Sequence, residues 1–268
     1  MTIRIAFLLI ISFYSANLLS SDKVITMGYK AVEREPLMAA APDNNGLYFE
    51  LYSIALKRIG YTLKVIRGPK KRIYKNLKNG IIDFYPGASL SAKRATFAFY
   101  FKNGLQAGHA GLSLPELPEI THLSQLDGLL LKQLGGHDFL QGIEGVSVKE
   151  VPELTIEKAI QIIKTRRASL FIYDKSSLEY YIKKHQVEGV KIHPNAYKGV
   201  EPMYLAFSRN SQYFSGHKNN NYKPDMLLSL ENYPYTISTD SVAYQFGQAL
   251  IKMENNGETQ KIYNKFYK

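Results

Sequence analysis

The 268-residue chain contains no cysteine. That absence removes disulfides, thiolate metal sites and cysteine nucleophiles together, and it leaves the redox compartment open. Six histidines are present, at 109, 122, 137, 185, 193 and 217. None forms HExxH or another close ligand pair. There is no GxSxG elbow, no P-loop and no GxGxxG, so no metal or nucleotide cofactor is expected. No tandem repeat occurs at solenoid periods. Past residue 21, no run is long and apolar enough to cross a membrane. Acidic residues are outnumbered, 23 against 34 basic ones, giving a formal net charge of +11. Such a balance suits nucleic acid, anionic lipid or anionic small molecules. The charge is spread along the chain. Its one local concentration, Lys64, Arg67, Lys70, Lys71, Arg72, Lys75 and Lys78, reads as a solvated face on a strand edge and a short helix, and not as a nucleic-acid surface.

What is present is ordinary globular material. Hydrophobic residues make up 45% and charged residues 21%, enough for a sizeable core in one or two domains. Residues 2–21 have the layout of a secretory signal peptide. Arg4 precedes the apolar run Ile5–Phe13, and small residues follow up to Ser20 and Ser21, where cleavage is expected. No cysteine follows to take a lipid, so a soluble periplasmic protein without a lipid anchor is expected. Loss of Arg4 lowers the formal charge from +11 to +10.

Along the remaining chain, Val24–Tyr29 reads as a strand and Asn45–Gly60 as a helix with Leu51, Ile54, Ala55 and Ile59 on one face. Tyr61–Ile66 alternates as a strand, Lys70–Asn79 is a short basic helix, and Ile81–Tyr85 is a further strand. This β-α-β-α-β order predicts a mostly parallel sheet with helices on its faces. A loop-rich stretch with Pro115 and Pro118 interrupts it. The alternation restarts with strands at Leu129–Lys132 and Val146–Val151, a helix over Thr155–Thr165, a strand at Ser169–Tyr173 and a helix over Lys175–His185. Met203–Ser208 is a further strand, Ser211–Asp225 an exposed polar loop, and two helices close the chain.

One segment carries candidate chemistry. In residues 76–94 a strand runs into Gly87, Ser89, Ser91 and Arg94. Glycine lets a ligand approach the backbone, serine offers a hydroxyl, and arginine grips a carboxylate with paired charge-assisted hydrogen bonds. The spacing of Leu77, Gly80, Asp83, Gly87, Ser89, Ser91 and Arg94 resembles the "L..G..D" and "G.T.T..R" segments of the family 3 solute-binding proteins, the exported receptors of polar amino-acid ABC importers. Gly46–Leu51, Leu126–Gly136, Ala159–Asp174 and Phe246–Tyr267 resemble further segments of that family in the same order, so the likeness runs along almost the whole chain after residue 21.

The resemblance implies an α/β, two-lobed periplasmic binding protein fold of type II with two hinge crossings, near 107–113 and 200–206. Residues 22–109 and 204–268 would form the first lobe and 110–203 the second. It implies that Arg94 binds a ligand carboxylate, with Ser89 and the backbone at Gly87 assisting. Asp174 matches the acid that pairs with an α-ammonium, although by itself it reads equally as the N-cap of the following helix. Tyr29, Lys30 and Lys70 stand at further cleft positions. The family's "GT" in the second-lobe loop is replaced by Gly136 and His137, so a hydroxyl contact is missing and His137 is its candidate substitute. Lysines facing the cleft would suit a ligand with an extra anionic or polar group. The implied function is capture of an amino acid or other small carboxylate by a monomer that presents its closed form to ABC importer membrane subunits, without catalysis. The alternatives are a cleft enzyme resembling the cyclohexadienyl dehydratases and a receptor that hands its closed state to a chemoreceptor or kinase.

Overall fold

The computed structural model describes residues 23–134, 143–197 and 199–267. The expected signal peptide, its cleavage point, Gly136 and His137 lie outside the described residues. In chain order the elements are β1 (Val24–Lys30), α1 (Leu47–Arg58), β2 (Thr62–Gly68), α2 (Lys70–Lys78), β3 (Phe84–Ala88), the single turn α3 (Ala92–Ala95) and β4 (Ala98–Ser113). There follow β5 (Leu129–Gln133), β6 (Ser147–Val151), α4 (Ile156–Lys164), β7 (Leu170–Asp174), α5 (Lys175–Lys184) and β8 (Lys191–His193). The chain closes with β9 (Val200–Ser208), β10 (Gly216–Lys218), β11 (Tyr235–Ile237), α6 (Val242–Asn255) and α7 (Glu258–Tyr267). Among the described residues no helix is long and apolar enough to cross a membrane.

The main sheet has the order β2-β1-β3-β9-β4-β7-β5-β6, with β8 beside β4. Two parallel triplets, β2-β1-β3 and β6-β5-β7, flank the centre. The parallel pattern expected from the βαβ order therefore holds within each triplet. Between them β9 runs antiparallel to β3 and β4, and β4 antiparallel to β7. β4 pairs with β9 through Gly108 and with β7 from His109 onward. One strand thus leaves the first group of strands and enters the second without a break.

The hydrophobic clusters divide at the same place. The first contains buried residues from 25–105 and 203–262. Its centre is aromatic: Tyr52, Phe84 and Phe246 stand at ring distances of 5.1 and 5.3 Å, and Phe207 stacks on Phe84 at 6.4 Å. The other two draw their buried residues from 110–196 and cover opposite faces of β5 and β7, with Leu131, Phe171 and Ile163 on one side and Leu130, Leu170 and Ile172 on the other. Alternation along a strand places successive side chains on opposite faces, so both faces of these strands are apolar, as parallel sheets between helices require.

Besides the short strands β8 and β11, which the sequence reading lacks, and the earlier start of β9 at Val200, the structure differs from that reading at three places. β4 is absent from that reading because Lys102-Asn103-Gly104 has the look of a turn. It is a bulge, where the β4–β9 register shifts between Lys102 and Gln106. Gly104 takes φ +77°, and buried Asn103 stabilises the bulge by donating to the Tyr52 hydroxyl (2.9 Å) and accepting from the Leu105 N–H (3.0 Å). The strand expected at Ile81–Tyr85 begins only at Phe84. Asp83 replaces its first residues: its carboxylate accepts from Thr26 N–H (2.7 Å) and the Ser211 hydroxyl (2.6 Å), tying β1 to the loop after β9. The loop expected at 211–225 contains β10, which pairs antiparallel with β11.

Removing the Phe246 ring empties the centre of the first cluster. Phe246→Ala is expected to lower stability by about 3–5 kcal/mol in urea unfolding; a loss below about 1 kcal/mol would contradict this description of the core.

Candidate functional site

A cleft of about 370 Å³ opens at the carboxyl ends of β1, β3 and β7, where open α/β sheets place their ligands. Tyr29 and Lys30 enter it from the end of β1, Gly87 and Ser89 from the end of β3, Arg94 from α3 and Lys70 from the start of α2. Tyr173 and Asp174 enter from the end of β7 on the opposite wall. Seven of the eight candidate residues therefore line one cleft. The eighth, His137, lies outside the described residues.

Gly87 is required by geometry. Its φ is +61°, and an added Cβ would stand 2.4 Å from the Tyr48 hydroxyl. Ser89 acts through its backbone: its carbonyl accepts from Arg94 Nη1 (2.7 Å) and from the Tyr100 hydroxyl (3.0 Å). Arg94 is seated over the Tyr74 ring at 5.2 Å, a cation–π contact that orients the guanidinium. The other motif residues support from behind. Leu77 is fully buried, and Gly80 takes φ +72° where an added Cβ would strike the Asn210 carbonyl at 2.2 Å.

Asp174 is 3% exposed and caps α5. Its Oδ1 accepts from the Ser177 N–H (2.9 Å) and the Ser177 hydroxyl (2.7 Å). Its Oδ2 faces Arg34 Nη2 at 3.7 Å. Arg34 escapes the sequence reading, because it lies in the loop between β1 and α1, which has no periodic pattern. The only local signal was its place four residues after Lys30. Its guanidinium also lies over the Tyr173 ring at 5.1 Å. Burial opposes the charge on Arg34, but Tyr173 and Asp174 beside it hold its pKa above the ordinary arginine value. Further contacts join the same two walls: Lys184 Nζ to Glu35 Oε2 (2.6 Å), the Ser176 and Tyr263 hydroxyls (2.8 Å), and Lys70 N–H to Glu153 Oε1 (3.3 Å).

The basic cluster noted in the sequence divides. Arg67 donates to the Ala31 and Ala39 carbonyls, both at 3.1 Å, and lies over Tyr29, so it fixes the loop that carries Arg34. Lys70 turns into the cleft, while Lys64, Lys71, Arg72, Lys75 and Lys78 are exposed. Tyr48, Tyr74, Tyr85 and Tyr204 complete an aromatic lining. Burial raises the pKa of each of these phenols, so they stay neutral hydrogen-bonding groups. Among the described residues no group of three or more histidine, cysteine or carboxylate side chains is placed to hold a metal.

No protein-family model matches the chain, and no curated protein sequence matches it significantly. Solved structures do. An ancestral arginine-binding protein bound to arginine superposes with a TM-score of 0.67 at 20% identity, covering 91% of this chain and 98% of that one. The substrate binding protein of an amino acid ABC transporter gives 0.65 at 15% identity over 91% and 99%. A histidine kinase sensor domain with similarity to periplasmic binding proteins gives 0.68 at 17% identity over 91% and 96%. The chain has the two-lobed periplasmic binding protein fold. The sequence resemblance and the structural neighbours agree on it.

Within that fold the cleft is strongly cationic, and the cost falls on its lysines. Burial, followed by the Arg34 charge and with a smaller push from Arg67, brings Lys30 down to about 8 against the pull of Glu153 and Glu33. Burial, then Lys30 and Arg94, brings Lys70 to about 8, with Arg34 adding and Glu153 opposing. Both lysines bind a proton less readily in the folded chain than in the unfolded one. Stability of the ligand-free protein is therefore expected to rise from pH 7.5 to 9, where unfolded tyrosines are still almost fully protonated, by about 1–2 kcal/mol. Urea unfolding across that range checks this. The rise should vanish in Lys30→Met/Lys70→Met, and a flat wild-type profile would contradict a desolvated cationic cleft.

Proposed function

We propose that the chain is an exported solute receptor of the family 3 kind. It captures a small carboxylate-bearing, amino-acid-like molecule between its lobes and presents the closed form to an ABC importer. The observation that carries this reading is the convergence of Arg94, from the block with the first cluster, and Asp174, from the middle block, on one cleft of about 370 Å³. That volume is at the small end of ligand pockets. Residues 22–109 with 204–268 act as one lobe and 110–203 as the other, with β4 and β9 as the crossings. A ligand touching both walls favours the closed state, since only closure lets one molecule meet groups from both.

The reading as a binder is supported by the state of Asp174, one of two carboxylates that line the cleft. Dehydration of the cyclohexadienyl kind calls for a positioned general acid. Here Oδ1 of Asp174 is committed to the α5 cap and Oδ2 faces Arg34. A sensory role uses the same cleft, and the likeness to a kinase sensor domain keeps it as the second reading. Loss of labelled-ligand uptake on gene deletion would favour the importer, and intact uptake the sensor.

The test is a thermal-shift screen against amino acids and short carboxylates. A ligand at 100 times its dissociation constant stabilises by about 2.7 kcal/mol, a shift of several degrees. Arg94→Ala is expected to weaken a carboxylate hit by about 100-fold or more while leaving cooperative unfolding intact. Wild-type affinity in that variant would refute the assignment.

A further inference from the structure

The pairing of Arg34 with Asp174 bears on which molecule the cleft takes. An amino acid presents two opposite groups, a carboxylate for a basic partner and an ammonium for an acidic one. In this cleft the acidic partner is already engaged. Asp174 Oδ1 takes two hydrogen bonds from Ser177, and Oδ2 has the Arg34 guanidinium in front of it at 3.7 Å. An incoming ammonium would have to displace a cation held over Tyr173.

Of the charged groups that remain, all but Glu201 are hydrogen-bond donors. Arg34 Nε is buried and has no hydrogen-bond partner among the described residues. Lys30 is 4% exposed, and its side chain makes no hydrogen bond or ion pair among them. Glu153 and Glu33 offset part of its charge from a distance, while Arg34 and Arg67 add to the repulsion. Arg94 and Lys70 complete the cationic side. Among the described residues the lining carries Lys30, Arg34, Lys70 and Arg94 against Asp174 and Glu201, an excess of two positive charges. An ammonium offers only donors and adds a charge of the wrong sign; a carboxylate offers only acceptors. Three of the aromatic faces, those of Tyr29, Tyr74 and Tyr173, are already covered by guanidinium groups.

We propose that the ligand is a small organic dianion without an α-ammonium group, in the simplest case a short dicarboxylate, and that Arg34 fills the position opposite Asp174 that an amino acid's ammonium would take. One carboxylate lies on Arg94, and the second meets Lys30 and the free edge of Arg34. The inference rests on reading the cleft as a solute site.

Isothermal titration calorimetry with matched pairs, succinate against aspartate and glutarate against glutamate, isolates the ammonium. The dicarboxylate is expected to bind at least 10-fold more tightly than its amino partner. Arg34→Met uncovers Asp174 and is expected to shift that ratio at least 10-fold toward the amino acid. Asp174→Asn keeps a capping oxygen for α5 and removes the charge opposing the ligand. It is expected to tighten dicarboxylate binding, and it guards against a folding defect in the first variant. Aspartate or glutamate binding as tightly as its partner would overturn the inference. So would a panel in which no dicarboxylate binds. In that case Arg94-dependent binding of glutamine or arginine would leave the solute reading standing, and its absence would remove that reading as well.

Discussion

Strand β4 hydrogen-bonds to β9 through Gly108 and to β7 from His109 onward, so a single backbone carries the main sheet from one hydrophobic cluster to the next. A strand that pairs on both sides of a cleft fixes how the walls face each other. It also carries a bulge at Asn103–Leu105, shortly before it changes partner between Gly108 and His109. The carboxyl ends of β1, β3 and β7 then open onto a shared space, and Tyr29, Lys30, Gly87, Ser89, Arg94 and Asp174 stand at or shortly after those ends, while Lys70 enters from the start of α2.

Charge governs what that space can hold. Removing several like charges from water is costly unless each gains a partner. Among the described residues the partners include Asp174 for Arg34, aromatic faces for three arginines, and the Ser89 carbonyl for Arg94. Lys30 keeps its charge near neutrality despite almost complete burial. A cleft built this way is less favourable empty than filled by an anion. In the receptor proposed above, the same physics couples ligand capture to closure, because the compensating charge arrives between the walls. The Lys184–Glu35 and Ser176–Tyr263 contacts hold the walls together at the edges of the cleft.

The elements legible in the sequence are those whose burial is periodic. α1, α4 and α6 show it as an apolar stripe, and α4 is further marked by its Thr155 cap, whose hydroxyl accepts from the Lys158 N–H. β7 shows it as a continuous apolar run. β4 was not legible because its bulge is held by tertiary contacts, Asn103 with Tyr52, that leave no local pattern. The shifted start of β3 has the same origin, since Asp83 bonds to residues 57 and 128 positions away. In the cleft, Arg94, Ser89 and Gly87 were reachable from spacing along one segment, and Lys70 only through the family resemblance. Arg34 was not. Its position depends on Arg67, at the end of β2, holding the loop that carries it, which does not follow from residues 31–46 alone. Asp174 was legible both as a cap and as a cleft residue, and it occupies both places at once.

The most direct test of the account is a crystal structure of the protein grown with saturating glutarate. The account predicts one carboxylate in bidentate contact with Arg94, the other against Lys30 and Arg34, and Arg34 still facing Asp174 with the walls closed. Glutarate bound outside the cleft, or an empty closed cleft at saturating ligand, would contradict it.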